Sequence, residues 1–128
     1  ITITVTDNAG NESNLLTVNE FNIYDSIFDV TSNGTSGYLI SENGIQLSNG
    51  GNNPQISLQK GKKYLFNISN ASTHPFNINE NNTGTIYSSG IIGQGTSLLT
   101  FSVPQNAPSN LYYQCGNHAA MQGNINIT

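Results

Sequence analysis

Apolar and polar residues alternate along most of this chain, and glycine, asparagine or serine breaks the pattern roughly every eight to twelve residues. Nothing in it reads as a helix. That combination restricts the chain to an all-β fold. Asn33-Gly34, Asn43-Gly44 and Asn49-Gly50 are tight-turn dipeptides, because both residue types tolerate positive φ. The pattern predicts strands over 1–6, 14–18, 21–25, 37–41, 55–59, 63–69, 74–78, 97–103, 110–115 and 122–128. A chain of 128 residues suits one domain and can bury a core without crosslinks. A single cysteine excludes an internal disulfide, so any stabilising crosslink has to be a metal.

Two segments differ in character. Residues 1–18, opening Ile1-Thr2-Ile3-Thr4-Val5, resemble the closing strand and turn of an immunoglobulin-like repeat of bacterial surface proteins. They are expected to be the tail of such a repeat, or a linker, and the chain is expected to be a piece of a larger protein. Residues 19–128 then read as one compact β-sandwich.

Composition narrows the partners. Only 8% of residues are charged, against about 25% in an ordinary soluble domain. There are 21 asparagines, and the three cations, Lys60, Lys62 and Lys63, share one turn. A net charge of -4 with no basic face argues against nucleic acid, whose affinity comes largely from phosphate neutralisation. No apolar run approaches the roughly 18 residues of a membrane helix, so no membrane insertion is expected. Six Asn-x-Ser/Thr sequons would be glycan acceptors in a secreted protein, but the better reading is that an Asn/Ser/Thr-rich chain makes them by chance.

The chemistry is concentrated in Cys115-Gly116-Asn117-His118-Ala119-Ala120-Met121. This heptapeptide holds the only cysteine, the only methionine and one of two histidines; the other, His74, lies far upstream in Thr73-His74-Pro75-Phe76. Two imidazoles, one thiolate and a weak thioether are the donor set of a blue-copper site. Each residue alone has a bland reading: a buried Cys or Met is usually core, and a lone His is usually structural. Taken together, no sulfur or imidazole is left over. A regular strand would spread the spacing Cys-x2-His-x2-Met over about 20 Å, so a loop must curl around a common point. Gly116, Ala119 and Ala120 permit that curl. Strand parity puts Leu111, Tyr113 and Cys115 on one inward face and points Tyr112 and Gln114 the other way; His74, Phe76 and Ile78 likewise share a face.

The loop resembles the ligand loop of the cupredoxin family. In that family a strand ends in Cys, a loop carries His and Met, and a last strand follows an x-Gly-x-hydrophobic-x-hydrophobic pattern. Here these are Tyr112-Tyr113-Gln114-Cys115, then His118 and Met121, then Gln122-Gly123-Asn124-Ile125-Asn126-Ile127. The short spacing is similar to that of amicyanins. The resemblance implies a Greek-key β-sandwich holding one type 1 copper ion through His74, Cys115, His118 and Met121. Residues 20–128 also resemble a plastocyanin-like module of large microbial and phage surface or virion-associated proteins. The phrases that carry this are Asn53-Pro54-Gln55-Ile56-Ser57-Leu58, Lys60-Gly61-Lys62-Lys63-Tyr64-Leu65-Phe66 and His74-Pro75-Phe76.

Three positions depart from the family. Pro75 stands where plastocyanins and amicyanins have an Asn that braces the ligand loops and turns an N–H to the thiolate. Asn117 stands where a Pro is usual and restores an N–H there, one placed to bond the sulfur. Gln114 replaces a frequent docking aromatic.

Two functions follow. The first is one-electron transfer, with His118 as the exposed edge, rimmed by Ala119, Ala120 and Pro75, facing a redox protein partner. The alternative is a structural or adhesive module of an extracellular fibre or virion, assembled with other copies or domains, in which the metal only stabilises the fold. An enzyme is not expected, because no further histidine, second metal cluster or serine triad is available. The implied setting is extracellular, cell-surface or virion-associated.

Overall fold

The computed structural model describes residues 23–128. The segment 1–18, and with it the expected immunoglobulin-like tail, lies outside the described residues. Ten strands follow in chain order: β1 (Ser26–Ser32), β2 (Tyr38–Glu42), β3 (Ile45–Gln46), β4 (Ile56–Leu58), β5 (Lys63–Ile68), β6 (Phe76–Asn79), β7 (Ile91–Ile92), β8 (Leu98–Ser102), β9 (Asn110–Cys115) and β10 (Gln122–Ile127). They form a six-stranded sheet, β3-β2-β1-β5-β8-β7, and a four-stranded sheet, β4-β10-β9-β6. β1 pairs with β5, and β10 with β4, in parallel; the other pairs are antiparallel. The fold is all-β, as the alternation predicts, with a single short 3-10 turn at Leu47–Gly50 among the described residues.

Alternation puts one face of each sheet inside. Phe28, Val30, Tyr38, Ile40, Phe66, Leu99 and Phe101 of the larger sheet meet Ile56, Leu58, Phe76, Ile78, Leu111, Tyr113 and Ile125 of the smaller, all nearly or fully buried. Burial of one such side chain stabilises by about 1.5–3 kcal/mol. Phe76 lies at the centre of the aromatic part of this core. It stacks on Tyr113 at 5.2 Å, meets Tyr38 edge-on at 5.2 Å and approaches Phe66 at 5.7 Å. Because Tyr38 and Phe66 belong to the opposite sheet, this cluster locks the sheets together at the level of the β6 start.

The turns behave as their residues dictate. Asn43-Gly44 has positive φ at both positions, 51° and 86°, and closes the β2–β3 hairpin. Gly123 faces Tyr113 across the β9–β10 pair, where a Cβ would run into the Tyr113 ring. The Tyr113 hydroxyl crosses the sheet there to donate to the Pro54 carbonyl at 2.6 Å.

One expected strand is displaced. Of 21–25, the described residues 23–25 form turn and bend, and the strand begins at Ser26. In this strand Phe28 and Val30 face inward while Ile27 stays half-buried on the outer face. The adjacent apolar pair Ile27-Phe28 hides the alternation. No helix among the described residues is long and apolar enough to cross a membrane.

Candidate metal centre

β6 and β9 are neighbours, and their register places Phe76 opposite Cys115. β9 and β10 form a hairpin in which Gln114 faces Gln122. One step further along that register puts Cys115 opposite Met121, so both side chains share the inner face. The backbone closes this pair: Cys115 N–H donates to the Met121 carbonyl at 2.9 Å, and Met121 N–H to the His118 carbonyl at 2.9 Å. The five intervening residues, 116–120, therefore curl back on themselves, as the tight spacing requires. Gly116 serves this curl by clearance, since its φ is not positive. A Cβ there would sit 3.2 Å from Asn77 Nδ2 and 3.4 Å from Pro75 Cγ.

His74 reaches the same point from the turn that follows β5. Its N–H donates to the Asn70 carbonyl at 2.8 Å, which winds residues 70–74 into a turn just before β6. The result is a three-donor cluster. Cys115 Sγ lies 3.8 Å from His74 Nδ1 and 3.7 Å from His118 Nδ1. The ligand atoms of all three residues lie within 4.8 Å of one another. The imidazoles meet at 5.0 Å between ring centres. Cys115 and His74 are buried, and His118 is half-buried.

These distances fit a metal. Bonds of about 2.3 Å to sulfur and about 2.0 Å to nitrogen, opened at about 120°, put S and N about 3.7 Å apart. Met121 is fully buried beside the cluster, on the inner face it shares with Cys115. The donor set fits one copper ion: two imidazoles and a thiolate in a triangle, with a thioether at the end of the loop that leads into β10.

Three side chains hold the cluster from outside. Asn117 does so twice. Its backbone N–H lies 3.4 Å from Cys115 Sγ, and its Nδ2 donates to the Thr73 carbonyl at 2.9 Å. The N–H expected from the Cys-x-Asn spacing is present, and the same side chain ties the Cys115 loop to the His74 turn. Gly116 N–H adds a bond to the Pro75 carbonyl at 2.9 Å. Tyr38, fully buried on β2, donates its hydroxyl to the His74 carbonyl at 3.0 Å. Burial, and then the neighbouring Cys115, raise its pKa well above the ordinary tyrosine value, so the hydroxyl stays a donor. Gln114 is the third, and it is buried rather than turned to solvent.

Tyr38 and Gln114 are the residues that sequence reasoning missed. No pattern singled out Tyr38 among six tyrosines, because its partner lies 36 residues away. For Gln114, strand parity gave the right direction but not the cover: the ligand loop and the Asn82 turn close over it.

No family model and no curated protein sequence matches this chain. Among solved structures, rusticyanin from Thiobacillus ferrooxidans is similar at 20% identity and a TM-score of 0.45, covering 80% of this chain and 75% of the other. Amicyanin from Paracoccus versutus (Thiobacillus versutus) is similar at 12% identity and a TM-score of 0.46, covering 81% and 82%. The functional reading stands on the side-chain geometry instead.

Proposed function

We propose that this domain binds one type 1 copper ion through His74, Cys115 and His118, with Met121 as the weak axial ligand, and that it transfers single electrons. The observation that carries this reading is the triangle of Cys115 Sγ with two Nδ1 atoms at 3.7 and 3.8 Å, at one end of a rigid sandwich. A bound copper ion supplies a one-electron Cu(II)/Cu(I) couple. The protein supplies the rest. Cys115 and His74 are buried and hydrogen-bonded through their backbones, which limits rearrangement between the two oxidation states. His118 is half-buried, with Ala119 and Ala120 exposed beside it, so its ring edge is the short route from solvent to the cluster.

The lysines lie away from that edge. The three lysines sit at the start of β5, a strand length from its end near the His74 turn. A redox protein partner would therefore dock by shape and desolvation of small apolar groups, with little electrostatic steering. We place the domain outside the cell, on a cell surface or a virion, on the strength of the module resemblance and the sparsely charged, polar composition. The structural reading, in which the metal merely staples the fold, finds no support in the geometry. β6 and β9 are already paired along their length, so a metal between His74 and Cys115 closes a contact that the sheet has made.

Cyclic voltammetry of the copper-loaded protein tests the reading. A reversible one-electron wave that Cys115→Ser abolishes is the expected result. A bound metal without a reversible wave would leave only a structural site.

A further inference from the structure

We propose that Gln114 is the positioning residue of the metal-ligand loop, holding it in place through hydrogen bonds rather than packing. Its side chain is 5% exposed although it lies on the outer face of β9. Both of its N–H donors and its oxygen are engaged. Nε2 donates to the Ala119 carbonyl at 3.0 Å and to the Asn82 carbonyl at 3.2 Å, and Oε1 accepts from Asn79 Nδ2 at 3.0 Å. One amide therefore ties β6, the Asn82 turn and the ligand loop together.

The orientation of this amide is fixed by its partners. Both carbonyls are acceptors only, so the nitrogen must face them. Turning the amide over would set its oxygen against two carbonyl oxygens and its nitrogen against Asn79 Nδ2. The cost of the observed arrangement appears at Asn79: with its nitrogen committed to Gln114, its Oδ1 is buried without a hydrogen-bond partner. The network thus satisfies the ligand loop and leaves its one mismatch on β6, away from the loop.

Little else holds that flank. A cleft of about 430 Å³ opens beside the loop, lined by Asn77, Asn82, Thr83, Gly116 and Asn117 among others. Ala119 itself is exposed. Ala119 follows His118 directly and precedes Met121 by two residues, so gripping its carbonyl fixes the segment between both candidate ligands. Asn117 holds the other side of the loop through Thr73. Gly116 N–H bonds the Pro75 carbonyl on that same side, so Gln114 is the side-chain anchor of the Ala119 side.

The experiment compares Gln114→Leu with Asn79→Leu in the full chain. Both remove one buried amide at similar volume, but only the first removes the donors to the loop. In the metal-free protein, amide hydrogen exchange of Met121 and Gln122, whose N–H groups close the loop, is the first readout. Gln114→Leu should accelerate it at least about tenfold, the equivalent of about 1.4 kcal/mol, while amides later in β10 change less than about threefold. Asn79→Leu should leave the loop amides within about threefold of the parent. Equal acceleration in both variants, acceleration spread evenly over the sheet, or none at all would overturn the proposal. If Gln114→Leu does not fold, Gln114→Met carries the same comparison. The second readout rests on the copper reading: the electron paramagnetic resonance spectrum of the Cu(II) form should shift in the Gln114 variant and not in the Asn79 variant. A parent protein with no thiolate-to-copper signal would sink the copper reading alone, and the exchange data would still decide the role of Gln114.

Discussion

The backbone N–H of Asn117 points at the Cys115 sulfur across 3.4 Å. A hydrogen bond to a thiolate withdraws charge from it and favours the reduced metal, so it raises the potential. Asn117→Pro removes this donor and also the side-chain bond to Thr73. Asn117→Ala removes only the side-chain bond. The difference between the two variants isolates the N–H. A bond worth about 1 kcal/mol corresponds to roughly 40 mV for one electron, so the Pro variant should sit several tens of millivolts below the Ala variant. Cyclic voltammetry checks this, and equal potentials would show that the N–H does not tune the metal.

Tyr38 reaches the site through its hydroxyl, which holds the His74 carbonyl at 3.0 Å. Tyr38→Phe keeps the ring contacts with Phe76 and Tyr113 and deletes the donor alone. The His74 carbonyl then loses its partner in a buried setting, at a cost of about 1–3 kcal/mol. Urea unfolding of the metal-free protein should show that loss at an unchanged m-value. Copper affinity should fall as well, because the His74 turn is less firmly held. Unfolding identical to the parent would mean that the hydroxyl contributes nothing there.

His118 is the half-buried member of the cluster, and its neighbours Ala119 and Ala120 are small and exposed. His118→Ala should therefore leave a gap that small molecules can enter. Adding imidazole to the copper-loaded variant should restore the parent spectrum, whereas His74→Ala, at a buried position, should resist rescue. Rescue of both to the same extent would contradict the assignment of His118 as the exposed edge.

Copper should stabilise the domain, and the apolar core should be large enough to fold without it. The sheets share a continuous apolar core, and backbone ladders join β6 to β9 and β9 to β10. A ligand that binds only the native state adds about 4 kcal/mol at a thousandfold excess over Kd. For a domain of this size that should raise the thermal midpoint by roughly 10–20 °C. Thermal melts with and without copper measure it. Equal midpoints at saturating copper would reject a native-state site.

Much of this was legible in the chain because it depends on local rules. Alternation gave the all-β class, and the spacing of Cys115, His118 and Met121 required a curled loop. Asn117 was legible for the same reason: two residues past a cysteine, its N–H has few other places to point. What escaped depends on contacts between distant segments. β3 and β7 are two residues each, too short to alternate, and exist because β2 and β8 offer them an edge. β1 was misplaced because Ile27 is apolar on the outer face. Gln114 reads as a surface residue until the loop it holds is folded over it. Tyr38 acts across the sandwich, from the other sheet.

Visible absorption of the Cu(II)-loaded protein decides whether one copper ion sits against the Cys115 sulfur. An intense thiolate-to-copper band in the red is expected at one equivalent of copper, absent from Cys115→Ser. A colourless parent protein at saturating copper, or a Cys115→Ser variant that turns as blue as the parent, would contradict it.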